Sequence, residues 1–132
     1  MSETRDGHSD YMTKVNLAKK FATFDECWVP KVVAQLNGQY VKVVKFKGEY
    51  VWHQHEGEDE MFWVIQGSML IHLRDQTIEL NEGEFFVVPK GVEHKPESPE
   101  LSLVALFEPM ETRNTGNVDH DYTIEADDLK RI

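Results

Sequence analysis

The chain has 132 residues, enough for one domain that buries its own core without disulfide staples. It carries 14 Lys and Arg against 24 Asp and Glu, which gives a net charge of −10. A surface this acidic repels phosphate backbones and anionic headgroups, so we expect neither a nucleic-acid nor a membrane partner.

The sequence also indicates a compartment. Cys27 is the only cysteine, which excludes an internal disulfide framework and a cysteine-cluster zinc site. The first residues, MSETRDGHSDYMTK, contain no apolar signal core, and no later run approaches the length of a membrane span. We therefore expect a cytoplasmic protein.

The two ends of the chain are expected to differ from its middle. Residues 1–14 are polar and predict a flexible tail, followed by a single domain over 15–132. In LAKKFATF, Leu17, Phe21 and Phe24 recur at spacings of four and three, which predicts an apolar stripe on a short helix or turn. The ending EADDLKRI has its acids first and its bases last, so a short C-terminal helical turn is a further option.

Between the ends, the pattern is that of β-structure. After Pro30 the chain consists of β-branched and aromatic runs separated by turn residues, and Asn37-Gly38 predicts a hairpin. About eight short strands at regular spacing predict an all-β sandwich or barrel rather than a βαβ fold. The predicted strands are KVVAQL, QYVKVVKFK, YVWHQH, EMFWVIQ, SMLIHLR, TIEL, EFFVVP and LSLVALFEP, with KPESPE as a loop before the last.

Two of the six histidines stand at alternate positions, His53 and His55. In a strand they share one face at about 7 Å, and buried imidazoles without partners are costly unless a metal ion satisfies them. Glu60 begins the next strand after a loop short enough to bring its carboxylate over the pair. Glu49 falls in register with both histidines, so it is a candidate catalytic acid or base if it faces inward; otherwise it lies in water at the strand start.

A fourth candidate follows a turn. In GEFFVVPKGVEH, Pro89 ends the strand because it cannot donate to the ladder, and Gly91 allows a tight turn. That turn aims His94 toward the mouth of the predicted barrel. The sequence therefore offers a third imidazole for the same site.

These segments resemble the two motifs of the cupin superfamily. The pattern His-x-His, four residues, Glu, six residues, Gly resembles the first motif, and GEFFVVPKGVEH resembles the second, with 15 residues between them as in minimal single-domain cupins. The chain further resembles small stand-alone cupins that are often filed beside mannose-6-phosphate isomerases. The resemblance implies a double-stranded β-helix, or jelly-roll, barrel and a homodimer. It also implies a set of metal ligands: His53, His55, Glu60 and His94.

Such a ligand set suits a divalent transition metal, which could be Fe, Mn, Ni, Co or Zn. On an octahedral ion it would leave two positions for water or substrate, which could polarise a carbonyl, stabilise an enediolate or bind dioxygen. Three functions stay open: an isomerase or dioxygenase acting on a small metabolite, a non-catalytic small-ligand sensor or accessory module, and a structural or storage barrel. A sugar phosphate is disfavoured because no basic cluster lies near the histidines.

The strand EMFWVIQ is apolar on both faces. Phe62 and Val64 share the face of Glu60 and are predicted to form an apolar wall near the metal. The other face needs cover from the N-terminal segment or from a second subunit, and we predict a homodimer. Its residues are Met61, Trp63 and Ile65. The segment RNTGN near the C-terminus reads as ordinary turn chemistry and receives no role.

Overall fold

The computed structural model describes residues 12–132, so the predicted tail over 1–14 lies almost entirely outside the described residues. Helical structure is limited to α1 (Leu17–Phe21) and a 3-10 turn (Ala126–Asp128) within this range, and no helix in it is long and apolar enough to span a bilayer. The strands are β1 (Lys31–Leu36), β2 (Gln39–Glu49), β3 (Glu60–Gln66), β4 (Ser68–Leu73), β5 (Thr77–Asn81), β6 (Phe85–Val88), β7 (His94–Pro109) and β8 (Lys130–Arg131).

The long strand β7 organises the sheet. One edge of β7 pairs with β2, and the other edge pairs with β4 near its start and with β3 near its end. The resulting order is β5-β4-β7-β2-β1-β8, with β6 added to β3. All pairs are antiparallel except β1 with β8. This is the all-β jelly-roll predicted from the sequence, although the two ends of the described sheet do not pair to close a barrel.

Two predicted elements were wrong. The segment YVWHQH forms no strand and meets β7 only at a single bridge, His53 with His94. One reason is local, because the Val51 carbonyl lies 2.9 Å from the His53 ring Nδ1 rather than in a ladder. The predicted loop KPESPE is part of β7, where Pro99 is tolerated because the register jumps from Ser102 to Ser98 and leaves 99–101 in a bulge.

The core has two parts. The apolar stripe of the N-terminal segment is confirmed, because Phe21 and Phe24 pack with Val33 and Val43, and Leu17 lies at the margin of the same cluster. The larger cluster fills the interior of the jelly-roll beside the histidines. Its buried members are Trp28, Val44, Phe46, Phe62, Val64, Met69, Ile71, Leu80, Val88, Val104 and Leu106.

Candidate metal centre

The four predicted ligands meet at one point. Glu60 is the first residue of β3 and His94 the first residue of β7, while His53 bridges to His94. One nitrogen or oxygen atom from each side chain lies within 4.8 Å of the others, and all four side chains are buried. The two histidines at alternate positions therefore converge on the same site as the histidine after the turn and the glutamate. The members are His53, His55, Glu60 and His94.

The backbone fixes two of the rings. The His53 N–H donates to the His94 carbonyl at 3.0 Å, and the His94 N–H donates to the His53 carbonyl at 2.9 Å. Each ring Nδ1 lies beside the carbonyl two residues earlier, Val51 at 2.9 Å and Val92 at 3.0 Å. An Nδ1–H that donates to a carbonyl leaves the Nε2 lone pair free for a metal.

Three of the four cluster side chains have buried polar atoms that lack hydrogen bonds with the described residues. Glu60 Oε1 lies 3.1 Å from His55 Nε2 and 3.5 Å from His94 Nε2. These three atoms and His55 Nδ1 are buried and make no hydrogen bond with the described residues. Each such group costs about 1–3 kcal/mol if it stays unsatisfied. A divalent ion would satisfy Glu60 Oε1, His94 Nε2 and one ring nitrogen of His55 together, so the donor set fits a metal of the kind predicted.

The electrostatics of the metal-free cluster favour a neutral His53 and an ionised Glu60. Burial lowers the pKa of His53 to about 4, and the neighbouring His94 adds to the effect. Burial also acts to lower the pKa of His55, but the Glu60 carboxylate outweighs it and the net shift is upward. Burial acts to raise the pKa of Glu60, yet His55 and His94 hold it well below its usual range. A carboxylate and a neutral imidazole are the forms that ligate metals.

A second buried charge pair adjoins the cluster, and sequence reasoning missed it. Lys42 Nζ lies 2.5 Å from Glu108 Oε2, and the other oxygen of Glu108 has no hydrogen-bond partner among the described residues. Burial raises the pKa of Glu108 well above its usual value, the Glu60 carboxylate raises it further, and Lys42 opposes the rise. The available signal was the alternation that places Lys42 on the same strand face as Val44 and Phe46.

A narrow cavity of about 20 Å³ opens beside the cluster, room for about one water molecule. Its polar lining comes from His53 and Glu60 of the cluster, from Glu108 and from Asn114, and aromatic side chains form part of its wall. Trp28 stacks on Phe46 at 4.3 Å and on Tyr50 at 4.7 Å between ring centroids. Of the predicted apolar wall, Phe62 lines this cavity, whereas Val64 is buried in the core and does not line it.

The structure does not bring Glu49 into this site. Its side chain is 62% exposed, and its carboxylate accepts a hydrogen bond from Lys95 Nζ at 2.8 Å. The Lys95 ammonium lowers the pKa of Glu49, as expected for a surface ion pair. The prediction of an inward catalytic Glu49 fails because the segment after it leaves the strand, so the alternation of faces does not carry through to His53.

Comparison with known proteins agrees with this geometry. The cupin domain profile matches residues 41–107, half of the chain, and the chain therefore belongs to the cupin family. A cupin-2 domain containing protein from Shewanella frigidimarina NCIMB 400 superposes with a TM-score of 0.72 at 43% identity, covering 78% of this chain and 99% of that one.

Two curated relatives have a lower sequence identity to this chain than the Shewanella protein, and the matched residues cover a smaller share of each relative. The uncharacterized protein YdbB of Bacillus subtilis (strain 168) is 36% identical over 67 residues, which are 50% of this chain and 59% of YdbB. Quercetin 2,3-dioxygenase of Bacillus subtilis (strain 168) is 30% identical over 101 residues, 71% of this chain and 29% of that protein. The chain thus spans less than two thirds of either curated relative.

Proposed function

We propose that this cupin binds one divalent transition metal, which could be Fe, Mn, Ni, Co or Zn, and uses it to transform a small metabolite in an oxygen-dependent reaction. The observation that carries the proposal is the convergence of four buried side chains, three of which have buried polar atoms that make no hydrogen bond with the described residues. The likeness to a protein named quercetin 2,3-dioxygenase supports oxygen chemistry over isomerisation. The ligands would be His53, His55, Glu60 and His94.

The bound ion would supply Lewis-acid polarisation or dioxygen activation. The chain's own groups would do the rest. Glu108 presents a carboxyl oxygen without a partner among the described residues, and this oxygen can exchange a hydrogen bond with a substrate hydroxyl. Lys42 is the counter-ion that holds this carboxyl in place. Trp28 and Phe62 line the cavity and exclude water from the reacting groups.

The cavity also limits the substrate. No Lys or Arg side chain lines the cavity among the described residues, and Lys42, which contacts the lining residue Glu108, is already paired with it. A phosphorylated substrate would therefore meet buried carboxylates with no basic side chain to balance its charge, and only the metal ion would oppose the repulsion. A small neutral carbonyl-bearing or phenolic compound fits this chemistry better, and the aromatic side chains must shift to admit it.

A second candidate function is binding without turnover, as a sensor or accessory module. It is favoured by the narrowness of the cavity, which has room for about one water molecule. A metal-loaded protein that retains a small ligand and releases no product would have this function. A structural or storage role would instead leave the metal unable to exchange its solvent ligands.

We also propose that the protein is a homodimer, in keeping with the apolar outer face of β3. Trp63 is 40% exposed and pairs across the strands with Phe85, which is 59% exposed; Val87 beside them is 44% exposed. Within the described sheet, β6 pairs only with β3, so its other edge is free. A second copy would cover these side chains and this edge together.

Oxygen uptake tests the catalytic proposal. Apoprotein is loaded under anaerobic conditions with Fe, Mn, Ni, Co or Zn in turn, then mixed with aerated buffer and a panel of small phenols and α-hydroxyketones. We expect one metal to support substrate-dependent oxygen consumption with a product detected by mass spectrometry, and His94→Ala to abolish it. Metal-loaded protein that binds a compound without consuming oxygen would contradict the dioxygenase proposal and favour the sensor.

A further inference from the structure

The turn RNTGN, Arg113–Asn117, lies against the segment that carries two of the proposed ligands. The Asn117 Oδ1 accepts a hydrogen bond from the Gln54 N–H at 3.0 Å, and the Asn117 N–H donates to the Gln54 carbonyl at 3.1 Å. Gln54 lies between His53 and His55 in the chain. Both backbone groups of this intervening residue are therefore held by one asparagine.

This contact holds the segment 53–55, which the sheet holds only in part. The segment before β3 is not a strand, and His53 meets β7 only through its bridge to His94. That bridge holds one edge of the segment, and Asn117 holds the opposite edge through Gln54. The position of the His53 ring is thus set from both sides, by one residue of β7 and one residue of the turn.

Gly116 brings the turn closer than any other residue would allow. A Cβ atom at this position would lie 2.1 Å from the Gln54 carbonyl oxygen and 3.2 Å from Cδ2 of the His53 ring. Cδ2 is the carbon bonded to Nε2, the nitrogen that faces the cluster. A side chain at Gly116 would therefore push directly on the edge of the ring that carries the proposed metal ligand.

The turn itself is firmly built. Arg113 donates to the carbonyls of Gly116 at 3.1 Å and Val118 at 3.2 Å, and it forms ion pairs with Asp119 and Glu125. Thr115 is fully buried, and its hydroxyl bonds to the Val118 carbonyl at 2.7 Å. A rigid turn can transmit position to what it touches, whereas a mobile one cannot.

We infer that the 113–117 turn is a positioning element of the metal centre: Asn117 and Gly116 fix Gln54 and His53, and through them the direction of His53 Nε2. This inference rests on the proposed metal function. Residues that orient metal ligands without touching the ion commonly change metal affinity by about 10–100-fold when they are altered. The turn would act on the site in this way, through Gln54 and His53.

Cobalt binding tests the inference on the full chain. The Co(II) dissociation constant is measured by competition with a chromophoric chelator, together with the visible absorption of the bound ion. We expect Gly116→Ala to weaken Co(II) binding by about tenfold or more and to shift the visible bands. The control is Gly38→Ala, because Gly38 also has a positive φ, 77°, but no atom lies within 4 Å of the place that its Cβ would take. Its Co(II) affinity should stay within about twofold of wild type.

A milder pair of variants covers the case in which Gly116→Ala does not fold. Asn117→Leu removes the acceptor for the Gln54 N–H and should weaken Co(II) binding by about tenfold, whereas Asn117→Asp keeps an acceptor oxygen and should restore most of the affinity and the native spectrum. Wild-type affinity and spectrum in Asn117→Leu would overturn the role of the turn and leave the metal proposal intact. Failure of the wild-type protein to bind Co(II) would overturn both.

Discussion

Lys42 and Glu108 form an ion pair inside the protein, with side chains 0% and 1% exposed and Nζ 2.5 Å from Oε2. The pair joins β2 to the end of β7 and lies beside Glu60, whose carboxylate raises the pKa of Glu108. Burying two charges costs more free energy than burying two apolar side chains of similar size. The pair lies next to the cluster, where the hydrogen-bonding role proposed for Glu108 would need it.

Removing one partner of this ion pair should destabilise the protein, whereas removing both partners should not. Glu108→Leu leaves a buried ammonium without a partner and should lower the free energy of unfolding by about 3–5 kcal/mol. The double variant Lys42→Met, Glu108→Leu removes both charges. Its free energy of unfolding should be no more than about 1 kcal/mol below that of wild type, and can exceed it. Urea denaturation of the metal-free proteins measures both, and a single variant as stable as wild type would contradict the buried pair.

Metal binding should stabilise the fold through the cluster. Adding a divalent ion at about 100 times its dissociation constant should raise the free energy of unfolding by about 2.7 kcal/mol, because only the native state assembles the four ligands. The same ion should leave the thermal midpoint of His55→Ala nearly unchanged. His72→Ala is the matched control, since His72 lies outside the cluster and its ring nitrogens lie within hydrogen-bond distance of Thr77 and Glu97. A wild-type protein whose stability changes with neither chelator nor added metal would argue against the site.

The proposed dimer predicts a specific surface. Trp63→Lys combined with Phe85→Lys should convert the dimer to a monomer in sedimentation velocity, because the charges would have to be buried in the interface. Leu36→Lys, at a position 45% exposed on β1, should leave the dimer intact. A wild-type chain that sediments as a monomer at micromolar concentration would refute the interface.

The glycine that ends the first motif should be required for packing. Gly67 has φ of 90°, and an added Cβ would lie 2.9 Å from the Leu101 carbonyl oxygen, in the bulge of β7. Gly83 has a similar φ of 86° but open space around it. Both alanine variants carry a backbone penalty of about 1–2 kcal/mol, so Gly67→Ala should destabilise the protein by at least about 1 kcal/mol more than Gly83→Ala. Equal losses of unfolding free energy in the two variants would contradict this, because they would show that the contact with the Leu101 carbonyl is relieved without cost.

Much of the fold could be predicted from local pattern. The apolar segments that form β3, β4, β5 and β6 are separated by clear turn residues. The predicted bounds of these strands were therefore nearly correct. The segment around His53 was predicted as a strand because its residues are β-formers. It is irregular because its backbone is bonded to a turn more than 60 residues later, a contact that no local pattern encodes.

Some residues of the candidate site could likewise be predicted from local sequence, and others could not. The four cluster residues carry a spacing typical of the cupin family, and the structure brings them together. Glu108 has no such spacing, since it lies at the end of the strand LSLVALFEP, and only the register of β7 against β2 and β3 places it beside Glu60. Glu49 failed for the opposite reason: a local alternation was extended across a break in the strand.

Elemental analysis is the decisive test of the metal centre. Protein purified without added metal, and His53→Ala, His94→Ala and His72→Ala purified in parallel, are analysed for transition metals by mass spectrometry. We predict about one divalent transition ion per chain in wild type and in His72→Ala, and loss of most of it in the two cluster variants. Stoichiometric metal in His53→Ala and His94→Ala would contradict the assignment of these ligands.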